Sequence, residues 1–213
     1  MSSTEHYWEV EAFPANDRHL RAAAARLLVE EFRQDWPDAW PTLEAAESEV
    51  AQALEEDKVA FMVRDRATRT LLGWVGALPQ YGGRAWELHP LVVGSSHRRQ
   101  GLGRALVRHL EVAVARRGCL TLWLGTDDES GLTSLAGLDL FPGVLDKLRT
   151  VEDRKGHPLG FYRRLGFEIV GVIPDANGFG RPDIIMARRV GKRPSGLKGD
   201  ARGEGLHEGG AMP

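Results

Sequence analysis

The chain has one cysteine, Cys119, which excludes an internal disulfide and suits a reducing compartment. No apolar run approaches the roughly 20 residues needed to span a bilayer. The first residues are polar and acidic and do not read as a secretion signal. Charge of one sign is also lacking. A formal net charge of −2 gives no basis for broad binding to nucleic acid. The histidines fall into no His-x-x-x-His or other metal-ligand spacing, so no metal is expected. What remains is a soluble cytoplasmic protein.

Its 213 residues, 42% of them apolar, are enough for one domain with a good core. Tyr7 to Phe13 alternates like a half-buried strand. Asp17 is placed to cap a helix from His19 to Phe32, and a second helix, acid-rich on an exposed face, is expected from about Thr42 to Glu56. Between them Trp36 to Pro41 is a rigid aromatic connector. Strands are expected over 60–64, 71–78 and 86–93. A helix follows from Leu102 to Arg117, with Leu102, Ala105, Leu106, His109, Leu110 and Ala113 at core-facing spacing. Then come a strand over 120–124, a short helix around 159–165, and strands over 167–173 and 183–190. This order predicts an α/β sandwich of mixed sheet and flanking helices. Residues 1–190 read as a single domain. Residues 191–213, rich in Gly and charge, read as a disordered tail. The stretch 126–157 is too long for an ordinary connection. Its Leu138, Leu140, Phe141, Val144, Leu145 and Leu148 argue for packed local structure, and its place beyond a strand end suits an acceptor-site lid.

The most informative segment runs from Leu91 to Leu106, an apolar strand entering a helix through a basic turn with Gly101 and Gly103. Free N–H groups at a helix N-terminus and the helix dipole both favour an anion. Arg98, Arg99 and Arg104 add positive charge, so the turn suits a pyrophosphate. It is not a P-loop, because Arg104 and Ala105 follow Gly103 where Lys and Ser or Thr are needed. Nor is it a dinucleotide fingerprint, because Leu106 stands near the third Gly position and the next strand has no acid.

The remaining pattern, Arg98-x-x-Gly101-x-Gly103, resembles the coenzyme A loop of the GCN5-related N-acetyltransferase (GNAT) superfamily. The segment Phe161-Tyr-Arg-Arg-Leu-Gly-Phe167 resembles the helix-to-strand corner beyond that superfamily's acetyl-CoA site. The resemblance implies the GNAT fold: a central mixed, mostly antiparallel twisted sheet, with splayed parallel strands at the cofactor site and flanking helices. It implies acetyl-CoA as a non-covalently bound substrate. The pyrophosphate would lie against Arg98, Arg99, Gln100, Gly101, Leu102, Gly103, Arg104 and Ala105, and the pantetheine along Leu91, Val92 and Val93. Tyr162 would lie near the sulfur and act as general acid for the leaving thiolate. The Asn often found six residues before the Phe is Lys155 here. The resemblance also allows a homodimer.

Acetyl transfer to an amine needs the ammonium deprotonated, the thioester carbonyl polarised and the thiolate accommodated. Glu87 and His89 are both candidates for the base, on one strand whose alternation would put 87, 89, 91 and 93 on one face. Asp127, Asp128 and Glu129, with Glu87 and the ring of Trp86, would bind a cationic acceptor. Segments 86–93, 123–129 and 174–178 resemble bacterial proteins of the aminoglycoside 6'-N-acetyltransferase-like group, which implies transfer of acetyl to a primary amine of a small cationic acceptor. Other amines fit the same residues, among them polyamines and the N-terminus or Lys side chains of proteins. An acyl-CoA-binding sensor without turnover is the non-enzymatic alternative.

Overall fold

The computed structural model describes residues 6–192, so the expected tail lies outside the described residues except for Gly191 and Lys192. Seven strands are hydrogen-bonded in one sheet: β1 (Trp8–Ala12), β2 (Val59–Asp65), β3 (Leu71–Gln80), β4 (Ala85–Val93), β5 (Thr121–Asp127), β6 (Glu168–Ile173) and β7 (Asp183–Arg189). Their spatial order is β1-β2-β3-β4-β5-β7-β6, and only the β4–β5 pair is parallel.

Two helices, α1 (Arg18–Phe32) and α2 (Leu43–Ala53), cover one face of the sheet, and α3 (Leu102–Arg116) covers the other. Asp17 caps α1 by accepting from His19 N and Leu20 N, and Thr42 caps α2 by accepting from Ala45 N. Under α1 and α2, Ala24, Leu28, Val50 and Met62 surround the fully buried Trp74, whose Nε1–H donates to Ala24 O. Under α3 the buried stripe is Leu102, Leu106, Val107, Leu110 and Val114. It is rotated from the expected one: His109 faces solvent, and Val107 and Val114 face the core.

The strand expected to end near Leu124 continues to Asp127. Pairing with β7 along its whole length, from Thr121↔Arg189 to Asp127↔Asp183, carries it past Gly125. The 126–157 stretch is packed, as its apolar content suggests, though not through all the residues that suggested it. Leu135, Leu140, Leu148 and Val151 join the core, and α4 (Val144–Arg149) rests against β6, while Leu138, Phe141 and Leu145 are exposed. A last helix, α5 (Leu159–Arg164), leads into β6.

Candidate active site

The parallel strands diverge within the sheet. β4 and β5 pair only at Ala85↔Thr121, Trp86↔Leu122 and Glu87↔Trp123. Two local features end the pairing. The β3–β4 register shifts between Val75↔Leu91 and Ala77↔Leu88, so β4 carries one extra residue around His89 and Pro90. Pro90 also has no N–H to give a neighbour. From Leu88 to Val93 the edge of β4 that faces β5 therefore has no strand partner.

The same bulge corrects the expectation that 87, 89, 91 and 93 share a face. Before it, Trp86 and Leu88 pack under α3, and His89 lies on the α1–α2 side against Trp40, with ring centroids 5.8 Å apart. After it, Leu91 and Val93 pack towards α3, and Val92 belongs to the core under α1 and α2. Glu87 and His89 thus share one face, and Leu91 and Val93 the other. An extra residue in a strand inverts every later side chain.

The turn after β4 leads into an open helix N-terminus. Gly101 is the N-cap of α3 at φ 90°, and no side chain caps this end. The first-turn N–H groups of α3 have no intrahelical acceptor, so the end fits a phosphate. Gly103 has a second role: a Cβ there would come within 3.3 Å of the Phe161 ring, so its absence lets α5 approach α3. Arg98 is directed elsewhere. Its guanidinium donates to Glu31 Oε2 (2.7 Å) and to Val93 O (3.2 Å), and Glu31 also accepts from Ser95 N. Arg98 therefore braces the turn. The Gln100 side chain is held by Tyr7 and Ser96 O. Arg99 and Arg104 have no ion-pair partner among the described residues.

Cross-strand register builds the opposite wall. Glu87 is level with Trp123, and Trp123, Gly125 and Asp127 are level with Ala187, Ile185 and Asp183. All lie on the face away from α3, which puts Glu87, Asp127 and Asp183 together. Asp127 is pinned at several points. Its carbonyl accepts from Trp36 Nε1 and His157 Nε2, both at 3.1 Å, and its carboxylate accepts from Asn177 Nδ2. Ser130 Oγ donates to Asp35 O, so the α1–α2 connector is tied across this end of β5.

Among the other acceptor candidates, Glu129 stays with the cluster, and two do not. Asp128 is buried, and its carboxylate accepts from Leu132 N, Thr133 N and Thr133 Oγ1, which folds the loop. Trp86 is buried on the α3 side with its N–H on Gly83 O. Sequence reasoning missed Asp183, Trp123 and His157. Asp183 was read only as the start of a strand. Its carboxylate fills the space over Gly125, where a Cβ would clash with it, and its Oδ1 is buried without a partner.

Burial, with the crowding of carboxylates added to it, raises their proton affinity. Burial pushes the Asp183 carboxyl up to about 6, with Asp127 and Glu87 adding to it against a Thr126 N–H bond. Burial also raises Glu87, helped by Glu49 and opposed by His89 and Gln80. Glu129 is raised by burial and by Asp127 and Asp38. For His89, burial pulls the imidazole down, but Glu49, Glu87 and Asp127 outweigh it and its pKa is raised. Tyr162 is buried between Phe161 and Phe167, and burial alone holds its hydroxyl protonated well above the usual range. Buried Cys119 is likewise pushed up, away from reactivity.

Residues 23–136 match a model of the Acetyltransferase (GNAT) family. The fold is similar to that of an aminoglycoside 6'-N-acetyltransferase complexed with coenzyme A, with a TM-score of 0.79 and 38% identity over 88% of this chain and 99% of that one. The aminoglycoside 6'-N-acetyltransferase from Enterococcus faecium gives 0.77 at the same identity, covering 88% and 99%. An aminoglycoside 6'-acetyltransferase type Ii gives 0.65 at 34%, covering 87% and 99%. A comparison with curated protein sequences found no match. With this sheet, this helix end and these similarities, the chain belongs to the GNAT acetyltransferase family.

Proposed function

We propose that the protein transfers the acetyl group of acetyl-CoA directly to a primary amine of an aminoglycoside, at the 6' position. The observation that carries this reading is the cluster of Glu87, Asp127 and Asp183 on the sheet face beside the split between β4 and β5. The similarity to aminoglycoside 6'-N-acetyltransferases supports the choice of acceptor. The uncapped first turn of α3, from Gly101 to Arg104, would hold the pyrophosphate, and the free edge of β4 from Leu91 to Val93 the pantetheine. Acetyl-CoA supplies a thioester whose carbonyl oxygen would accept from Val93 N–H, which the β3–β4 register turns to the open side of β4.

On the acceptor side, Asp127, Asp183 and Glu129 attract ammonium groups, whose arrival relieves the repulsion among the carboxylates. Trp123 Nε1–H, buried without a partner, suits an acceptor hydroxyl. Glu87, with its raised proton affinity, takes the proton that the ammonium must lose before attack. Tyr162 holds a proton for the departing sulfur. The tie from the connector to Asp127 and Ser130 closes one end of the cleft, which favours a small acceptor over an extended peptide.

Tyr162→Phe is expected to lower kcat by about 100-fold with acetyl-CoA affinity kept. Steady-state kinetics with calorimetry checks this, and wild-type turnover removes Tyr162 from the mechanism. Acceptor KM is expected to rise as pH falls through about 6, where Asp183 takes up a proton and loses its charge. In Asp183→Asn the KM should no longer follow that titration. A KM that still rises there assigns it to another carboxylate.

The proposal includes a cytoplasmic protein, in keeping with the single buried Cys119. It also includes a homodimer, for which the exposed Val170, Ile173 and Leu145 offer apolar surface. Among the described residues, no helix is long and apolar enough to cross a membrane. The direct test of the function is acetyl-CoA turnover, followed by thiol release, with aminoglycosides, polyamines and short peptides as acceptors.

A further inference from the structure

Of the acids on α2, Glu44 and Glu47 face solvent, but Glu49 turns inward with its side chain only 22% exposed. A carboxylate placed between a helix and a sheet is costly unless something pairs with it. Its partner is His89, with Oε1 3.6 Å from Nε2. The Trp40 ring lies against the imidazole from the connector side. Behind the pair is a cavity of about 110 Å³ lined by Glu49, Gln52, Ala53, Lys58, Ala77, Leu78 and His89, room for several waters rather than a packed bed.

We propose that Glu49 is a positioning residue for acetyl transfer: from α2 it fixes the His89 imidazole beside Glu87 as its cationic partner, which leaves Glu87 to take the ammonium proton. The inference rests on the acetyl-transfer reading above. The groups facing His89 are Glu49 from α2, Glu87 on its own strand, Asp127 from β5 and the neutral Trp40 ring. Lys58 lines the same cavity and acts on Glu49, but the three acids carry the effect on the ring and together overcome its burial in favouring the charged form. Burial pushes the Glu49 carboxyl up, but His89, Trp40 and Lys58 hold it below the usual range, so each partner favours the charged form of the other. An imidazolium has no lone pair with which to accept a proton. In its charged form His89 is a positive charge beside the base and not the base itself. Without the Glu49 charge the half-exposed ring loses its nearest partner, becomes neutral more readily, and no longer offsets the burial of Glu87.

The test compares wild type with Glu49→Gln and Glu49→Asp. Glu49→Gln keeps the size of the side chain and borders a polar cavity, so it opens no hole in the core. The His89 signal in a histidine-labelled NMR titration is assigned by its loss in His89→Gln. In Glu49→Gln, His89 should titrate at lower pH than in wild type. The variant's kcat should fall several-fold, its pH profile should move, and its KM for acetyl-CoA should not change. Glu49→Asp should restore both the titration and kcat part of the way. An unchanged His89 titration, or a wild-type kcat and pH profile in Glu49→Gln, overturns the proposal. Failure of the wild type to acetylate any aminoglycoside would instead overturn the reading of function, and the titration would still test the ion pair.

Discussion

Glu87→Gln is expected to lower kcat for amine acetylation by about 10²- to 10⁴-fold, the range over which a positioned base contributes, while acetyl-CoA binds as in wild type. Glu87 stands at the last paired position of β4, level with Trp123, just before the strands separate. The amine and the thioester would meet at that opening. The amide keeps the size of the side chain but cannot take a proton. The acid limb of the kcat profile should disappear with it, because burial has raised that group's proton affinity towards the working range. Pre-steady-state and steady-state rates across pH check both points. A wild-type kcat would move the base to another group, with Asp183 the next to test.

Gly101→Val is expected to weaken coenzyme A binding by at least about 100-fold, since losing two hydrogen bonds to a charged group costs roughly 3–6 kcal/mol. At φ 90° Gly101 lies where a β-branched side chain is an outlier, with a strain of about 1–3 kcal/mol. The space around it is open: an added Cβ would have only the Trp8 ring near it, at 3.9 Å. The cost is therefore conformational. Relieving it would turn the first N–H groups of α3 away from the ligand. Asn tolerates the left-handed region better than Val, so affinity should fall in the order Gly, Asn, Val. Equal affinity across the three, by calorimetry, would disprove the placing of the pyrophosphate at this helix end.

These two sites show what a linear reading can reach. The Gly101 turn and the Tyr162 corner are local, each a few consecutive residues passing from one element to the next, and both were legible in the sequence, as were the strand and helix order and the cap at Asp17. Most of the failures have one physical origin, which is contact between distant segments. Alternation predicted one face for 87, 89, 91 and 93, and a single extra residue at His89–Pro90, forced by pairing with β3, divided them. Asp127, Asp128 and Glu129 looked alike in a run of acids. Burial and the Thr133 bonds take Asp128 out of the carboxylate cluster, and Trp36, His157 and Asn177 pin Asp127 within it. Asp183 becomes a candidate only when β7 is placed beside β5, more than fifty residues away in the chain. Arg98 looked like a phosphate ligand, and its partner Glu31 is on α1. Position in the chain gave no sign of any of these pairings.

The central claim, that the split between β4 and β5 serves acetyl transfer to an aminoglycoside, is tested most directly by measuring thiol release from acetyl-CoA with an aminoglycoside acceptor and mapping the product. The account predicts one acetyl group per turnover, carried on the 6' amine, with polyamines and peptides much poorer acceptors. Tight coenzyme A binding with no turnover on any aminoglycoside would contradict it.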